Sequence, residues 1–417
     1  MNHNMKITVL PVLLLLTAGE IHAQTGDVRP VHDPCIIRQG AYYYVFCTGR
    51  GIPIRRSNDL IHWQRVGTVF DEVPAWALAH VPAARFPWAP DISFDGGWYN
   101  LYYCVSRFAQ NLSCIGLARN KTLDPASADY QWIDHGMVIA SVPQQDNFNA
   151  IDAHFFAEES NDAWLAFGSY WSGIKLLRLD RKTGKPAETT ANLLPLVEAD
   201  VEAPFLTQHG RFYYLFFSHG RIHSRGYQIR LARSLKLGGP YCDRRGLPVK
   251  DNQGTLLLAT HGDCVGPGHN AILREADRYW LVHHHYDPLN WRRPTLQIRP
   301  LLWGPDGWPL AAAPWMQGSE FPKQVESLEP AQVLGRWRHA VISRNIHGTE
   351  EITLRDDGAI HAAGWLAAWS IEGDTLVLNR PEKQGLAGST SRCIVLANGA
   401  GYLGRDDNDD LVQGTRP

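Results

Sequence analysis

The sequence lacks the charge imbalance, the cysteine spacing and the long apolar segments that mark several large classes of protein. The formal net charge is −2 over 417 residues, so no basic surface favours nucleic acid or an anionic membrane as a partner. None of the seven cysteines forms a Cys-x-x-Cys pair, which argues against a thiolate zinc site. No apolar run reaches the roughly 20 residues that a membrane-spanning helix needs. Few amphipathic helical patterns occur after residue 24, so we expect little helix.

The first 23 residues have the composition of a secretory signal peptide. Lys6 precedes the apolar run 7–16, and the small residue Ala23 precedes Gln24. A basic start, an apolar stretch of about ten residues and a small residue at the cleavage point are typical of export signals. No cysteine stands at that point, so a lipid anchor has no support. We predict a signal peptide over residues 1–23 and export to the periplasm or the extracellular space.

Export would permit disulfide bonds, but the sequence leaves their pairing open. Cys104 and Cys114 flank a predicted hairpin loop and could face each other. The odd total of seven leaves at least one thiol unpaired within the chain.

Aromatic residues are abundant, at 11% of the chain with 15 tryptophans, and many lie in short runs between turns. Five such runs resemble one another, each following a shorter apolar strand and a polar turn; they cover residues 42–46, 98–102, 164–167, 212–216 and 279–283. They recur at intervals of roughly 50 to 65 residues, which leaves room for four strands and long loops in each repeat. The pattern predicts an all-β protein in which residues 24–320 form a five-bladed β-propeller.

One position in the repeat carries chemically active side chains. About ten residues before each aromatic run stand, in order, Asp33, Trp88, Asp152, Glu202 and His269. The first strand of a propeller blade lines the central channel, so we expect these five side chains to converge. An acid before proline or alanine commonly caps a turn, which would explain one such residue. Three acids at one repeat position favour acid–base catalysis in a cleft over turn capping.

A cluster of three carboxyl groups supplies the roles that glycoside hydrolysis requires. One protonated acid donates its proton to the leaving oxygen. One ionised carboxylate activates a water for attack on the anomeric carbon or attacks that carbon itself. A third acid can hold the pKa of the proton donor high. Trp88 offers a flat platform for a sugar ring, and His269 could hold a cation at the axis, although a structural histidine is as good a reading.

The sequence resembles the arabinanases of glycoside hydrolase family 43 over roughly residues 28 to 310. The matching segments, in order along the chain, are Val31-His32-Asp33-Pro34, Gly51-Ile52-Pro53-Ile54, Trp88-Ala89-Pro90-Asp91, Asn149-Ala150-Ile151-Asp152, residues 167–174, Val201-Glu202-Ala203-Pro204-Phe205 and Gly266-Pro267-Gly268-His269-Asn270. The segment Gly168-Ser169-Tyr170-Trp171-Ser172-Gly173-Ile174 is more typical of arabinanases than of the xylosidases in the family. The resemblance implies a five-bladed propeller that cleaves α-1,5-linked arabinan, or arabino-oligosaccharides, by an inverting mechanism.

The resemblance also implies roles for individual residues. Asp33 would be the general base, Glu202 the general acid, and Asp152 the residue that adjusts the pKa of the acid and orients it. His269 matches a residue that helps to hold a calcium ion at the propeller axis, largely through water. The candidate substrate-binding residues are Trp88, Phe108, Asn149, Ser169 and Trp171. An inverting mechanism would place the acid and base carboxyls about 6.5–9.5 Å apart.

Three departures from the family pattern leave the mode of cleavage open. Ala153-His154 follows Asp152, the loop 218–227 has no cysteine pair, and Asn290-Trp291-Arg292-Arg293-Pro294 replaces a glycine-containing turn. These loops are predicted to border the cleft, so endo and exo action both remain possible. The alternatives are an α-L-arabinofuranosidase or β-xylosidase on the same fold, or a non-catalytic glycan-binding propeller.

The propeller pattern stops after about residue 320. Short strands with Asp-Gly turns over residues 325–417 predict a small antiparallel β-barrel, like the C-terminal barrel of some arabinanases. It is either a structural cap on the propeller, which we favour, or a carbohydrate-binding module.

Overall fold

The computed structural model describes residues 23–188, 192–287, 289–343, 347–362, 365–381, 388–397, 399 and 401–417. The predicted signal peptide lies almost entirely outside the described residues. Within the described residues, helix is confined to α1 (Ala75–His80), α2 (Val249–Asn252) and α3 (Pro330–Val333). None of these helices is long and apolar enough to cross a membrane.

Residues 25–311 form five β-sheets in which successive strands pair. The first sheet contains β1 (Thr25–Gly26), β2 (His32–Gln39), β3 (Tyr42–Thr48), β4 (Pro53–Ser57) and β5 (His62–Thr68); the second contains β6 (Trp88–Asp95), β7 (Trp98–Ser106), β8 (Ser113–Asn120) and β9 (Ile133–Ser141). The third contains β10 (His154–Ala157), β11 (Ala163–Phe167), β12 (Ile174–Asp180), β13 (Lys185–Pro186) and β14 (Leu194–Val197). The fourth contains β15 (Val201–His209), β16 (Phe212–His219), β17 (Gln228–Ser234) and β18 (Thr255–Leu258); the fifth contains β19 (Val265–Glu275), β20 (Arg278–Asp287), β21 (Asn290–Trp303) and β22 (Pro309–Ala311). These sheets are the five predicted blades.

Each aromatic run forms the second strand of its blade. At the centre of these strands lie the equivalent side chains Val45, Leu101, Leu165, Leu215 and Leu281, all 0% exposed. Each opposes an apolar residue of the first strand, as Val45 opposes Ile36 and Leu281 opposes Ile272. Since side chains of a strand alternate between its two faces, neighbouring residues pack against the adjacent blades, and the core lies between the blades.

The blades close into a ring around a central axis. The first strands contact one another in the cyclic order β2, β6, β10, β15, β19 and back to β2. The N-terminal segment crosses the closure, because β1 pairs with β5 of the first blade while the Val31 N–H donates to Pro294 O of the last blade. Arg55, 3% exposed, anchors this segment by donating to Asp27 O and Pro30 O.

The C-terminal part is a closed eight-stranded antiparallel barrel. Its strands are β23 (Gly335–Ile342), β24 (His347–Leu354), β25 (Ala359–Ala362), β26 (Trp365–Glu372), β27 (Thr375–Arg380), β28 (Ser389–Val395), β29 (Gly401–Asp406) and β30 (Leu411–Thr415). Trp337, 0% exposed, lies in the barrel core with Val333 of α3. The predicted all-β propeller followed by a barrel is confirmed. The predicted boundaries at 320 and 325 fall in the connector between β22 and β23 and remain predictions.

The hairpin predicted around Cys104 and Cys114 forms, but these two cysteines do not face each other. Cys104 opposes Ile115, and Cys114 opposes Val105. This offset of one residue places the two thiols on opposite faces of the blade, in different core clusters. All seven cysteines are free in this structure.

Candidate active site

The first strand of every blade starts with an irregularity at the channel. The residues with positive φ there are Asp33 (52°), Ala89 (40°), Asp152 (58°), Ala203 (55°) and His269 (49°). In the first blade His32 opposes Thr48 and Cys35 opposes Phe46, so two residues oppose one, which is a β-bulge. The same offset follows Trp88 in the second blade, Glu202 in the fourth and Gly268 in the fifth.

The bulges correct one part of the sequence prediction. Asp33, Asp152 and His269 occupy the same repeat position, but Trp88 and Glu202 lie one residue earlier in their blades. The equivalent of Glu202 in the first blade is therefore His32, and its equivalent in the fifth is Gly268. Approximate spacing concealed the offset, whereas an exact count shows it: Asp33 lies 12 residues before Val45, and Glu202 lies 13 residues before the equivalent Leu215.

Positive φ is unfavourable for residues other than glycine by about 1–2 kcal/mol each. Such conformations persist where the surrounding fold imposes them, and they cluster at functional sites. A ring of five at one end of the channel therefore marks that end as the candidate site. Asp33 and Asp152 are suited to it, since aspartate tolerates this conformation better than most residues.

Asp33 is 7% exposed and is surrounded by hydrogen-bond donors. The Thr48 hydroxyl donates to its Oδ2 at 2.5 Å, and His32 Nδ1 lies 2.7 Å from the same oxygen. His269 Nδ1 lies 3.1 Å from Oδ1. Burial disfavours the charged carboxylate, but the charges and hydrogen bonds of His32 and His269 outweigh burial and hold its pKa well below the ordinary value. Asp33 is ionised at neutral pH.

Asp152 and Glu202 show the opposite behaviour. They are 7% and 9% exposed, and burial raises the pKa of both carboxyls above their ordinary values. The negative charges of Glu202 and Asp33 raise the pKa of Asp152 further. Contacts between blades bring these groups to one hollow, since the backbone N–H of Ala203, next to Glu202, donates to Asp152, and His269 contacts Asp33.

The pKa of Asp152 rises to about 8, whereas hydrogen bonds from Tyr227 and Ser169 lower the pKa of Glu202 and burial outweighs them. The partners of the two carboxyls also differ in kind. The Ala203 N–H donates to Asp152 Oδ2 at 3.2 Å, and a backbone N–H can only donate. The Glu202 oxygens instead contact two hydroxyls, Ser169 Oγ at 2.9 Å and Tyr227 Oη at 2.7 Å. A hydroxyl can donate or accept, so Glu202 keeps both contacts in either protonation state.

His269 completes the electrostatics of the hollow. Burial disfavours its charged form, but the neighbouring Asp33 carboxylate outweighs burial, with smaller contributions from Asp152 and Glu202, and the pKa of His269 rises to about 9. Positive charge at this position, carried either by the imidazolium or by a cation bound to the neutral ring, offsets part of the clustered negative charge.

The predicted substrate-binding residues divide into buried and exposed groups. Asn149 is 3% exposed and its side-chain oxygen accepts from Ser113 at 2.6 Å, while Ser169 is 3% exposed and bound to Glu202. Phe108 and Trp171 are 70% and 43% exposed, and Trp88 is partly buried. The exposed rings are available for stacking on sugars, whereas Ser169 belongs to the surroundings of Glu202. Their roles towards substrate remain predictions.

Sequence reasoning missed several residues that hold the carboxyls in place. Thr48, Tyr227 and His32 bond the predicted acid and base directly, and no single-residue pattern identifies them. His32 had one available signal, since it occupies the same repeat position as Glu202. Gly268 also contributes: a Cβ there would lie 1.8 Å from Tyr227 Cε1, so only glycine leaves room for that ring.

The surroundings of His269 fit a hydrated cation. Its Nδ1 faces Asp33, which leaves Nε2 for another partner. The neighbouring Asn270 is 3% exposed, and neither polar atom of its amide has a hydrogen-bond partner among the described residues. Unpaired buried polar atoms mark places for ordered water. Calcium prefers oxygen ligands, so an imidazole followed in the chain by a buried amide without a partner fits an ion held largely through water.

A second group of potential metal ligands has no free histidine nitrogen with which to bind an ion. Donor atoms of His32, Asp33 and His284 lie within 4.8 Å of one another. Both ring nitrogens of each histidine are already engaged with Asp33 or with Tyr286. The group is therefore a hydrogen-bonded cluster.

A propeller that brings an ionised carboxylate and a proton-holding pair to one buried hollow defines the class of carbohydrate hydrolases that work with two carboxyl groups. The chain belongs to the glycosyl hydrolases family 43, whose family model matches residues 29–309.

Individual relatives extend this assignment. The chain is 39% identical over 296 residues to the extracellular exo-α-(1→5)-L-arabinofuranosidase of Cellvibrio japonicus, covering 67% of this chain and 85% of the relative. It is 36% identical over 290 residues to the extracellular endo-α-(1→5)-L-arabinanase 1 of Bacillus subtilis, covering 67% of this chain and 87% of the relative. The crystal structure of endo-1,5-α-L-arabinanase from Thermotoga petrophila matches with a TM-score of 0.78 at 23% identity, over 94% of this chain and 100% of that chain. The likeness of fold therefore includes the barrel.

Proposed function

We propose that this protein is an exported glycoside hydrolase that cleaves α-1,5-L-arabinofuranosidic bonds of arabinan or arabino-oligosaccharides with inversion. Asp33 acts as general base on water, and Glu202 protonates the leaving oxygen. Asp152 raises the pKa of Glu202 and orients it. Two relatives named for α-(1→5)-arabinan chemistry support the substrate class, and their description as extracellular supports export.

The observation that carries this proposal is the opposite proton affinity of the buried carboxyls. Histidines hold the pKa of Asp33 low, while burial raises the pKa of Asp152 and Glu202. At neutral pH the hollow thus contains an ionised base and a pair able to retain a proton. Hydrolysis by general acid–base catalysis needs both an ionised base and a carboxyl that holds a proton. Binding of a glycan without cleavage needs neither.

Replacing Glu202 tests the assignment of the acid. Glu202→Gln keeps the shape and cannot donate a proton, so we expect kcat on linear arabinan to fall by at least about 100-fold. Activity on a 4-nitrophenyl arabinoside should fall much less, because its leaving group needs no proton. Glu198→Gln, at an exposed position four residues upstream, is the matched control and should act as wild type. Equal losses on both substrates would contradict the acid role.

The products that the wild-type protein releases from linear arabinan decide the mode of cleavage. The two relatives are named as an exo-acting and an endo-acting enzyme. A ladder of oligosaccharides from linear arabinan would identify internal cutting, and one short product would identify cutting from a chain end. Activity confined to arabinoxylan or aryl xylosides would favour the side-chain glycosidase alternative.

We further propose that the hollow beside His269 holds a hydrated calcium ion, with His269 Nε2 and the Asn270 amide as its protein partners, directly or through water. When bound, the ion takes the place of the Nε2 proton of His269 and supplies the positive charge that offsets the carboxylates. Dialysis against a chelator should therefore lower the unfolding temperature, and calcium should restore it. His269→Gln should remove the response. An unfolding temperature that ignores both chelator and calcium would contradict the site.

A further inference from the structure

A closed set of hydrogen bonds runs behind Asp33 and returns to it. The Asp33 backbone N–H donates to His284 Nδ1 at 3.2 Å. His284 Nε2 lies 3.1 Å from Tyr286 Oη, and Tyr286 Oη lies 3.0 Å from His32 Nε2. His32 Nδ1 then lies 2.7 Å from Asp33 Oδ2. The side chains of His284 and Tyr286 are shielded from solvent, at 0% exposure.

The backbone N–H fixes the direction of every bond in this set. Because it can only donate, His284 Nδ1 must accept, and the proton of the neutral ring is on Nε2. Burial holds the pKa of His284 well below its ordinary value, in agreement with a neutral ring. His284 Nε2–H therefore donates to the Tyr286 hydroxyl oxygen.

The Tyr286 hydroxyl then determines the tautomer of His32. This hydroxyl oxygen accepts from His284 Nε2–H, and its other hydrogen-bond partner among the described residues is His32 Nε2. The hydroxyl hydrogen must go to His32 Nε2, which places the imidazole proton of His32 on Nδ1, facing Asp33. A proton on His32 Nε2 would leave the buried Tyr286 hydrogen without an acceptor, which is costly.

The result determines which oxygen of Asp33 is free. Oδ2 receives His32 Nδ1–H and also the Thr48 hydroxyl, whose own oxygen accepts the Ala89 N–H at 2.8 Å. A carboxylate oxygen accepts about two hydrogen bonds, so Oδ2 is filled. Oδ1 has His269 Nδ1 as its partner and keeps one lone pair.

We infer that Tyr286 and His284 are positioning residues that lock His32 in its Nδ1–H tautomer, so that Asp33 Oδ1 is the oxygen that takes the proton of the attacking water. This inference rests on the proposed function. In the step, the water oxygen bonds to the anomeric carbon and its proton passes to Asp33 Oδ1. The bond to the leaving oxygen breaks, and that oxygen takes the proton of Glu202.

A double-mutant cycle separates this role from a structural one. Tyr286→Phe keeps the ring and removes the hydroxyl, so His32 is free to adopt either tautomer; we expect kcat on linear arabino-oligosaccharides to fall about tenfold with KM within twofold. In a His32→Asn background the new side-chain amide donates its N–H to Asp33. An amide has no tautomers, so the Tyr286 hydroxyl has none to select. The effect of Tyr286→Phe should then shrink to less than about twofold.

Control variants distinguish a positioning role of Tyr286 from a general structural effect. Tyr241→Phe removes a buried hydroxyl that bonds Leu237 O in the fourth blade and should leave kcat unchanged. If Tyr286→Phe fails to fold, His284→Asn keeps an acceptor for the Asp33 N–H, lacks the Nε2 donor, and should give the same loss of kcat. A full tenfold effect in the His32→Asn background, or an unchanged kcat, would overturn the inference. Retained activity in Glu202→Gln would instead overturn the proposed function.

Discussion

At the scale of the residue, hydrogen-bond partners separate three acids that the sequence presents as alike. Asp33 is surrounded by groups that donate, two of them imidazoles. Glu202 contacts two hydroxyls, which tolerate a protonated carboxyl. The chemical role of each acid therefore depends on partners from its own blade and from a neighbouring blade. A change at a partner should alter activity as a change at the acid does.

Gly268 gives a direct test at this scale. In Gly268→Ala the new Cβ would lie 1.8 Å from Tyr227 Cε1 and 2.4 Å from Cδ1, so the ring must shift and its hydroxyl must leave Glu202. We expect kcat to fall about tenfold, as in Tyr227→Phe, because a lost bond of about 1.4 kcal/mol in the transition state has that effect. Overpacking should also destabilise the fold by about 1–3 kcal/mol.

The measurements are steady-state kinetics and denaturant unfolding. Gly238→Ala is the matched control, since nothing lies within 4 Å of its Cβ position. Destabilisation of Gly268→Ala with normal kcat would show that Tyr227 does not act through Glu202.

At the scale of the element, the repeated aromatic strands were predicted and the bulges at the start of the first strands were not. The aromatic strands were predictable because burial on both faces selects long apolar runs, and these runs recur in every blade. The bulges were not, since each adds one residue within a strand whose pattern is otherwise regular. Approximate spacing was enough to find the cluster of acids, but the equivalence of His32 with Glu202 needs an exact count from the core residue of each of the two blades.

The same reasoning explains the cysteine hairpin. Its turn was predictable from loop composition, but the register across it was not, and a shift of one residue moves a side chain to the other face. The hydrogen-bonded surroundings of Asp33 are harder to predict, because His284 and Tyr286 belong to the fifth blade and only closure of the ring brings them beside the first blade.

At the scale of the whole molecule, the barrel covers the outer edge of the propeller, away from the axis. Ile342 and Leu411 of the barrel pack on Leu256 and Ala259 beside β18, and a second apolar cluster joins β22 to β28 and β29. Uncovered sheet edges promote aggregation. The contacts are those of a structural cap, the function that we favour for this domain.

Polar contacts cross the same interface. Arg405 of β29, 3% exposed, donates to Pro309 O of β22 and lies 3.8 Å from Asp409. From the propeller side, Arg244 bonds Asp306 at 2.7 Å and lies 3.9 Å from Asp409. Arg405 and Asp409 are buried, whereas Arg244 and Asp306 are partly exposed, so removing Arg405 or Asp409 should be costly.

Arg405→Met should therefore uncouple the two domains. Losing one member of a buried charge group costs about 3 kcal/mol, so calorimetry should show the barrel unfolding below the propeller, where wild type gives one joint transition. Arg392 opposes Arg405 across the barrel strands but is exposed; Arg392→Met should cost less than about 1 kcal/mol, as exposed ion pairs do. Two separate transitions in the wild type, or equal effects of the two substitutions, would show that the barrel is not held by this interface.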